Sequence, residues 1–344
     1  MVTRINLALQ GGGAHGAYTW GVLDRLLEEP EIEIAGISGT SAGALNGAAL
    51  KAGLLIGGRQ GARDNLDWLW AQMGALGNLW LTQWISHVAP SSSAISAMLE
   101  NSWHYMIGEA ASQMTSPYAM GPFYRNPLQA VVEQFHYDQV CADRGPRLFI
   151  GATNVRSGKI KVFEGAQIST KALLASACLP TLFQAVEIAD PDSGTREAYW
   201  DGGYSGNPAL FPLFDEALPA DIVIVGINPL CREDIPRSPQ AIQNRINEIS
   251  FNSSLLRELR AIAFVQRLLA EGALKPGSMK KILAHMISDD ALMTQLSVAT
   301  KMAPGPVLLA RLKQAGRNSC DAFLASHRGD LNQRSTVDLQ ALYG

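Results

Sequence analysis

A serine lies at the centre of a G-x-S-x-G pattern, Gly39-Thr40-Ser41-Ala42-Gly43, which we call the Ser41 turn. In such patterns the serine lies on a sharp turn between a strand and a helix, and its small neighbours let the hydroxyl project as a nucleophile. An apolar run precedes the pattern and a segment rich in Ala, Gly and Leu follows it, as this geometry requires. A glycine-rich turn whose serine only caps a helix has the same sequence, so the pentapeptide leaves both interpretations open.

A second glycine-rich segment, Gly11-Gly12-Gly13-Ala14-His15-Gly16, follows the first predicted strand, and we call it the glycine loop. The backbone N–H groups of such a loop, at the start of a helix, can bind an anion. The loop also satisfies the G-x-G-x-x-G dinucleotide fingerprint through Gly11, Gly13 and Gly16, and that fingerprint requires an acidic residue where the second strand ends.

The acidic residue is missing from the required place. The second predicted strand ends in Ile37-Ser38, whereas Glu31 and Glu33 lie at its beginning. An oxyanion hole uses the same N–H donors for another purpose, the stabilisation of a developing negative oxygen. Parallel neighbouring strands have their carboxyl ends at one edge of the sheet, so we expect the glycine loop beside the Ser41 turn.

The third candidate is Asp201-Gly202-Gly203, directly after a predicted strand. A serine nucleophile needs a base within hydrogen-bond reach. A carboxylate followed by two glycines can occupy a tight turn with its side chain free to act as that base. Asp-Gly turns without a catalytic role are common, so this motif is informative only together with the other two.

Alternating strands and helices position these turns. Strand Arg4–Leu9, helix Ala14–Glu29, strand Glu31–Ile37 and helix Ala44–Leu54 follow one another in the order that opens a parallel α/β sheet. Later elements are predicted as strands Arg147–Val155, Lys159–Phe163, Glu197–Trp200 and Asp221–Ile227, and as a helix over Ile168–Ala177.

The chain changes character at Pro229–Pro239, after which apolar residues recur at helical spacing. The change predicts a catalytic part over residues 1–230 and a helical extension over residues 231–344 that packs on it. The extension is predicted to have one or two long helices over Ser238–Leu274 and further helices in residues 278–299 and 305–325.

Together and in this order, the three motifs resemble those of the patatin-like phospholipase family, a group of lipid acyl hydrolases. The block Ala175-Ser176-Ala177-Cys178-Leu179-Pro180 is similar to the family's A-S-x-x-x-P element. Asn207-Pro208 also fits the stretch after the family's Asp-Gly motif. The resemblance covers about residues 4–230.

This resemblance implies a three-layer α/β fold with a mostly parallel central sheet, and a Ser-Asp dyad that uses no histidine and no cofactor. Ser41 would be the nucleophile and Asp201 the base. The implied reaction is lipid ester hydrolysis of phospholipase A, lysophospholipase or carboxylesterase type, as in lipid degradation, through an acyl-serine. The implied partner is a lipid or fatty-acyl ester, with transient contact to a membrane surface as one route to it. The implied oxyanion hole consists of Gly12, Gly13 and Ala14, and the supporting glycines are Gly11, Gly16, Gly39, Gly43, Gly202 and Gly203.

His15 departs from the family, which usually has Arg or Lys at this position. A histidine is mostly neutral near pH 7. We therefore expect His15 to order the glycine loop through a hydrogen bond, and we expect arginine at this position to restore the family's usual residue with most of the activity.

Three other functions remain open at this level. A conventional Ser-Asp-His esterase would use His285 or His327, although its serine turn would normally come later in the chain than residue 41. A nucleotide-binding protein would need the missing acid. A lipid-binding protein without catalysis would not need all three motifs intact.

Residues 64–124 contain no Lys or Arg but hold five of the seven tryptophans. The segment is predicted as a cap that forms an acyl-chain pocket, and the alternative is that its aromatic residues fill the core. Its charges are all acidic, which gives no support to electrostatic docking on anionic lipid. The five tryptophans are Trp68, Trp70, Trp80, Trp84 and Trp103.

Composition narrows the class of protein further. Of the 344 residues 47% are hydrophobic and 17% charged, which is typical of a globular chain, and the net charge of −3 lacks the basic excess of nucleic-acid binders. The four cysteines and the histidines show no ligand spacing, so we expect no metal site and a reduced, cytoplasmic compartment. No run matches a signal peptide or a membrane span.

Overall fold

An eight-stranded sheet in the order β5-β6-β3-β2-β1-β7-β8, with β4 beside β3, forms the centre of the molecule. The computed structural model describes residues 2–76, 116–190, 192–233, 235–275, 277–302 and 304–343. The strands are β1 Thr3–Leu9, β2 Ile32–Thr40, β3 Arg147–Asn154, β4 Ile160–Glu164, β5 Val186–Ala189, β6 Arg196–Asp201, β7 Asp221–Val225 and β8 Leu283–Ile287.

Helices cover this sheet. None of those in the described ranges is long and apolar enough to cross a membrane. They are α1 Gly16–Leu26, α2 Ala42–Leu76, α3 Gln129–Val132, α4 Tyr137–Val140, α5 Thr170–Ser176, α6 Pro239–Ala270, α7 Asp290–Gln295, α8 Val298–Met302, α9 Pro306–His327 and α10 Leu339–Tyr343.

The sheet is mostly parallel, as predicted. Strands β3, β2, β1, β7 and β8 are parallel neighbours, whereas β4 and β6 pair antiparallel with β3 and β5 pairs antiparallel with β6. Strand β7 has an apolar core on each face: Val223 and Val225 join a cluster with α1, α2 and α9, and Ile222 and Ile224 join one with α6. Alternation of buried residues toward both sides is what a central strand between two helical layers requires.

The prediction of helices in residues 278–299 is right only for the later part of this range. This range contains β8, which pairs parallel with β7 through Val223 and His285, and then the short helices α7 and α8. The run Leu283–Ile287 is five residues long and largely buried. Periodicity cannot distinguish a short apolar strand from a buried helix, and here the open edge of β7 decides for a strand. Strand β5 was also not anticipated.

Helix α2 continues beyond the predicted end at Leu54. It consists of two helical arms, because Gly57 and Gly58 have non-helical dihedral angles and Gly58 has a φ of +61°. Glycine adopts this left-handed conformation without steric cost, so the chain can change direction there. The second arm places Trp70 against Trp20 of α1, with ring centroids 6.3 Å apart.

The long helix α9 lies directly against α1. A Cβ added to Gly316 would lie 2.0 Å from the carbonyl oxygen of Tyr18, and one added to Gly21 would lie 1.9 Å from that of Lys313. The backbones of the two helices are therefore in contact, and this contact holds the helix that follows the glycine loop. The division into residues 1–230 and residues 231–344 remains a prediction, although β8 of the second part belongs to the sheet of the first.

We expect Gly316→Ala to lower the melting temperature. Alanine normally stabilises a helix relative to glycine, but here its methyl group must displace the α1 backbone, at a cost of roughly 1–3 kcal/mol. Thermal unfolding of Gly329→Ala provides the control, because a Cβ at Gly329 meets no atom within 4 Å. An equal or higher melting temperature for Gly316→Ala would contradict the close contact.

Candidate active site

The glycine loop and the Ser41 turn meet at the carboxyl edge of the sheet. Strands β1 and β2 are parallel, with Leu9 opposite Gly39, so the chain leaves both strands side by side. A Cβ added to Gly11 would lie 2.6 Å from the Cβ of Ser41. The predicted approach of the two turns is therefore confirmed, and only glycine fits at residue 11.

Ser41 has a φ of 53°, the left-handed conformation that non-glycine residues rarely adopt. Its N–H donates to Ser176 Oγ (2.9 Å), and the Ser176 hydroxyl donates to the carbonyl oxygen of Gly151 (2.7 Å). Strained backbone of this kind costs about 1–3 kcal/mol and persists where surrounding contacts hold it. Ser176 thus supports the turn. The A-S-x-x-x-P resemblance marked this residue, but not its role.

Helix α2 starts immediately behind Ser41 and crosses the end of β1 closely. A Cβ added to Gly43 would lie 2.1 Å from the carbonyl oxygen of Leu9, and one added to Gly39 would lie 2.6 Å from that of Gly43. Side chains at these two positions would push the helix away from the sheet. Close packing of the helix on the sheet therefore requires glycine at both flanking positions of the Ser41 turn.

Asp201 reaches the same place through strand pairing. Strand β3 pairs with β2 up to Thr40 opposite Gly151, and its next residue, Ala152, lies opposite Asp201 of β6. Strand β6 therefore takes up the pairing of β3 where β2 ends, which places Asp201 beside the Ser41 turn. A Cβ added to Gly202 would lie 2.3 Å from the carbonyl oxygen of Gly151, so the turn after Asp201 is closely packed as well.

The Asp201 side chain is buried, with 1% exposure. Its Oδ1 accepts a hydrogen bond from the Gly203 N–H (2.8 Å), and within the described ranges Oδ2 accepts none of standard geometry. Burial raises the pKa of Asp201 to about 7, while the Gly203 N–H and the nearby Ser41 hydroxyl act in the opposite direction. A carboxyl group with this pKa exchanges a proton readily at neutral pH.

Three buried polar side chains hold the start of the glycine loop. Asn207 Oδ1 accepts from the Gly11 N–H (2.6 Å), and Asn228 Nδ2 donates to the Gly11 carbonyl oxygen (2.8 Å). Gln10 Oε1 accepts from the N–H groups of Ile227 (2.9 Å) and Asn228 (3.1 Å). Gln10 and Asn228 could not be predicted from the sequence, because isolated amide residues carry no motif.

The next residues of the loop keep their N–H groups available. Gly13 has a φ of +60°, and the N–H groups of Gly12 and Gly13 donate to no acceptor among the residues the structure describes. Both residues line the same cavity as Ser41 and Asp201, and so does Ala14. Free amides beside a serine are what an oxyanion hole needs.

His15 is buried at the far end of the loop, and its Nε2 lies 2.8 Å from Thr300 Oγ1 of α8. The Thr300 hydroxyl donates to the Ser297 carbonyl oxygen (2.7 Å), so Nε2 carries the proton and donates to Thr300. Burial lowers the pKa of His15 well below 6.5, and the charges of Lys301 and Arg232 lower it further. His15 is therefore neutral, and its expected loop-ordering hydrogen bond is present.

The expectation that arginine at this position restores activity must be reversed. We expect His15→Arg to lower both the melting temperature and ester turnover, because it buries a permanent charge beside Lys301 and Arg232. His15→Gln, neutral and able to donate to Thr300, is the control and should perform better in both assays. An arginine variant as stable and as active as wild type would contradict this.

A cavity of about 350 Å³ opens beside Ser41 and Asp201. Its other wall is apolar and includes Trp70 of the predicted cap segment. Trp68 of that segment packs edge-on against Phe135 instead, while Trp80, Trp84 and Trp103 lie outside the described residues. The cap as a whole remains a prediction. Apolar residues of the wall include Leu45, Leu69, Trp70, Met73, Leu128 and Phe183.

The two histidines considered for a triad have other partners. His285 Nε2 lies 2.8 Å from Asp221 Oδ1 and its Nδ1 lies 3.1 Å from Thr336 Oγ1, while His327 bonds Asp330 (2.9 Å). Neither is among the described residues that line the Ser41 cavity. In the described ranges no group of three or more His, Cys, Asp or Glu residues could hold a metal ion.

Comparison with known proteins identifies the family of the chain. The family model described as patatin-like phospholipase matches residues 7–214, a range that contains the glycine loop, the Ser41 turn and Asp201. Among solved structures, the crystal structure of VipD from Legionella pneumophila is similar with a TM-score of 0.44 and 14% identity, over 94% of this chain and 67% of that chain. A search among curated proteins found no match.

Proposed function

Because the chain belongs to the patatin-like phospholipase family, whose domain implies a hydrolase acting on lipid esters, we propose that it cleaves carboxylic esters with a Ser41–Asp201 dyad. One observation carries the proposal: Ser41, on a left-handed turn, and the buried Asp201 line one cavity together with the free amides of Gly12 and Gly13. The apolar wall of that cavity suits a fatty-acyl chain.

In the acylation step, Ser41 Oγ attacks the carbonyl carbon of the ester while the Asp201 carboxylate takes the hydroxyl proton. The carbonyl oxygen becomes negative and accepts hydrogen bonds from the Gly12 and Gly13 N–H groups. When the tetrahedral intermediate collapses, the carbon–oxygen bond to the alcohol breaks. The alcohol leaves with the proton that Asp201 held, and the acyl group stays on Ser41.

In the deacylation step, the Asp201 carboxylate takes a proton from water, whose oxygen attacks the acyl-Ser41 carbonyl. The same amides stabilise the second oxyanion. Its collapse breaks the bond to Ser41 Oγ, which recovers its proton from Asp201. A single buried carboxyl group with a pKa of about 7 can serve as base and acid in turn, as this order of proton transfers requires.

The direct test is a fluorophosphonate probe followed by turnover on a panel of lipid esters. We expect one covalent adduct, located on Ser41 by mass spectrometry, because only an activated serine attacks such a reagent. Hydrolysis of a short-chain ester and of a monoacylglycerol should accompany labelling. Labelling of another serine, or a well-folded protein that neither labels nor hydrolyses any ester, would overturn the proposal.

The dyad also predicts a pH profile. Only ionised Asp201 can take the Ser41 proton, so kcat/KM for an uncharged ester should rise about tenfold per unit below pH 7 and level off above it. Initial rates between pH 5 and pH 9, with folding checked at each pH, give the measurement. A flat profile from pH 5 to pH 8 would exclude a base with this pKa.

A further inference from the structure

Charge is distributed unequally around the cavity. The polar residues that line it include Asn244 and Asn247 of α6 and Lys301 of α8. Lys301 is the only cation among the described residues that line the cavity. Its backbone touches the loop, because a Cβ added to Gly13 would lie 2.5 Å from the Lys301 carbonyl oxygen.

Lys301 belongs to a cluster of three cations around one carboxylate. Glu248, whose side chain is fully buried, accepts two hydrogen bonds from Arg232, both of 2.8 Å. Arg245 lies 3.4 Å from the same carboxylate, and Lys301 Nζ lies 3.7 Å from it. One negative charge therefore faces three positive charges, and Arg232 occupies both of its oxygens.

The Lys301 ammonium group retains binding capacity. Among the described residues, its Nζ donates to Asn228 Oδ1 (3.3 Å) and lies 3.7 Å from Glu248, and it carries three N–H groups. Its side chain is 15% exposed, on a residue that lines the cavity. Burial lowers the pKa of Lys301 and the charge of Arg232 lowers it further, while Glu248 compensates only in part, so a bound anion would stabilise the charged form.

We propose that Lys301 determines substrate specificity by binding a phosphate group of the lipid, so that the preferred ester carries a phosphate near the scissile bond. The inference rests on the proposed hydrolase function and assigns phosphate binding to the polar residues of the cavity. His15 is neutral, so the glycine loop itself offers no cation. Asn244 and Asn247 line the same cavity, and their side-chain amides can donate to the remaining phosphate oxygens.

Two substrates that differ only in the phosphate provide the test: 1-oleoylglycerol and 1-oleoylglycerol 3-phosphate. Wild type should show a kcat/KM at least about tenfold higher for the phosphate ester, since hydrogen bonds to charged groups contribute tenfold or more in affinity. This comparison of the two kcat/KM values needs only the wild-type protein. Equal values for the two esters would overturn the inference, even with Ser41 labelled and both esters hydrolysed.

Lys301→Met removes the charge and keeps the apolar stem. We expect the ratio of kcat/KM for the phosphate ester to kcat/KM for 1-oleoylglycerol to fall at least about tenfold. Lys275→Met, at an exposed position between α6 and β8, is the matched control. An equal loss on both esters would instead assign Lys301 to loop support through Asn228 and overturn the specificity role.

Inorganic phosphate distinguishes a lipid phosphate from a free anion. We expect millimolar phosphate to inhibit phosphate-ester turnover only weakly, because the acyl chain supplies the rest of the binding. Strong inhibition of 1-oleoylglycerol hydrolysis by phosphate would indicate a free-anion regulatory site and contradict substrate specificity. Absence of both labelling and turnover would count against the hydrolase function itself, so the two failures remain distinguishable.

Discussion

Ser41→Ala is expected to abolish ester turnover and fluorophosphonate labelling. Loss of the nucleophile in serine hydrolases costs on the order of 10⁶ in kcat, because no other group forms the acyl intermediate. Folding should be little affected, since the hydrogen bond to Ser176 uses the backbone N–H, which alanine retains. Turnover, labelling and a thermal melt on the same preparation give the measurement.

Ser193→Ala is the control for this variant, because Ser193 is exposed in the loop before β6. It should label and hydrolyse as wild type does. Labelling that persists in Ser41→Ala at the wild-type rate would disprove the assignment of the nucleophile. A variant that labels no longer but still hydrolyses the ester would disprove the acyl-serine mechanism.

Asp201→Asn should reduce kcat by about 10²–10⁴, the usual contribution of a general base. The amide is nearly isosteric and can still accept the Gly203 N–H, but it cannot take the proton of Ser41. Lipid binding should therefore survive while turnover falls. Asp64→Asn, at an exposed position of α2, is the matched control. More than about a tenth of wild-type turnover would mean that another base acts.

The same variant has a second consequence, for stability. The pKa of Asp201 is raised to about 7 in the folded protein, so between about pH 4 and pH 7 the folded state holds a proton that the unfolded state has lost. Wild type therefore loses stability as the pH rises through this window. Asp201→Asn never ionises, so it should melt roughly 2–6 °C above wild type at pH 8, with the difference disappearing near pH 4.

Thermal melts at pH 4, 6 and 8 measure this difference directly. Asp64→Asn, the same change at an exposed position of α2, is the control at the same three pH values. A difference between Asp201→Asn and wild type that stays constant from pH 4 to pH 8 would mean that Asp201 titrates in the folded protein as it does in the unfolded chain.

The tight turns of the site could be predicted from the sequence alone. The Ser41 turn and the glycine loop could be recognised because tight turns and close backbone contacts admit few residue types, and those types appear in the sequence. The position of Gly11 against Ser41 and the left-handed φ of Ser41 agree with that interpretation. The first strands were predicted to within a few residues, since their apolar runs end at these turns.

Contacts between residues distant in the chain could be established only from the tertiary structure. Asp201 reaches Ser41 because β6 takes up the pairing of β3 where β2 ends. This register depends on pairs of residues distant in the chain, such as Thr40 with Gly151 and Ala152 with Asp201. The run Leu283–Ile287 is a strand because β7 offers it an edge. Burial also depends on packing, and it raises the pKa of Asp201 and keeps His15 neutral. Packing likewise brings Lys301 to the cavity. No local pattern encodes these environments, because each depends on elements that meet only in the folded chain.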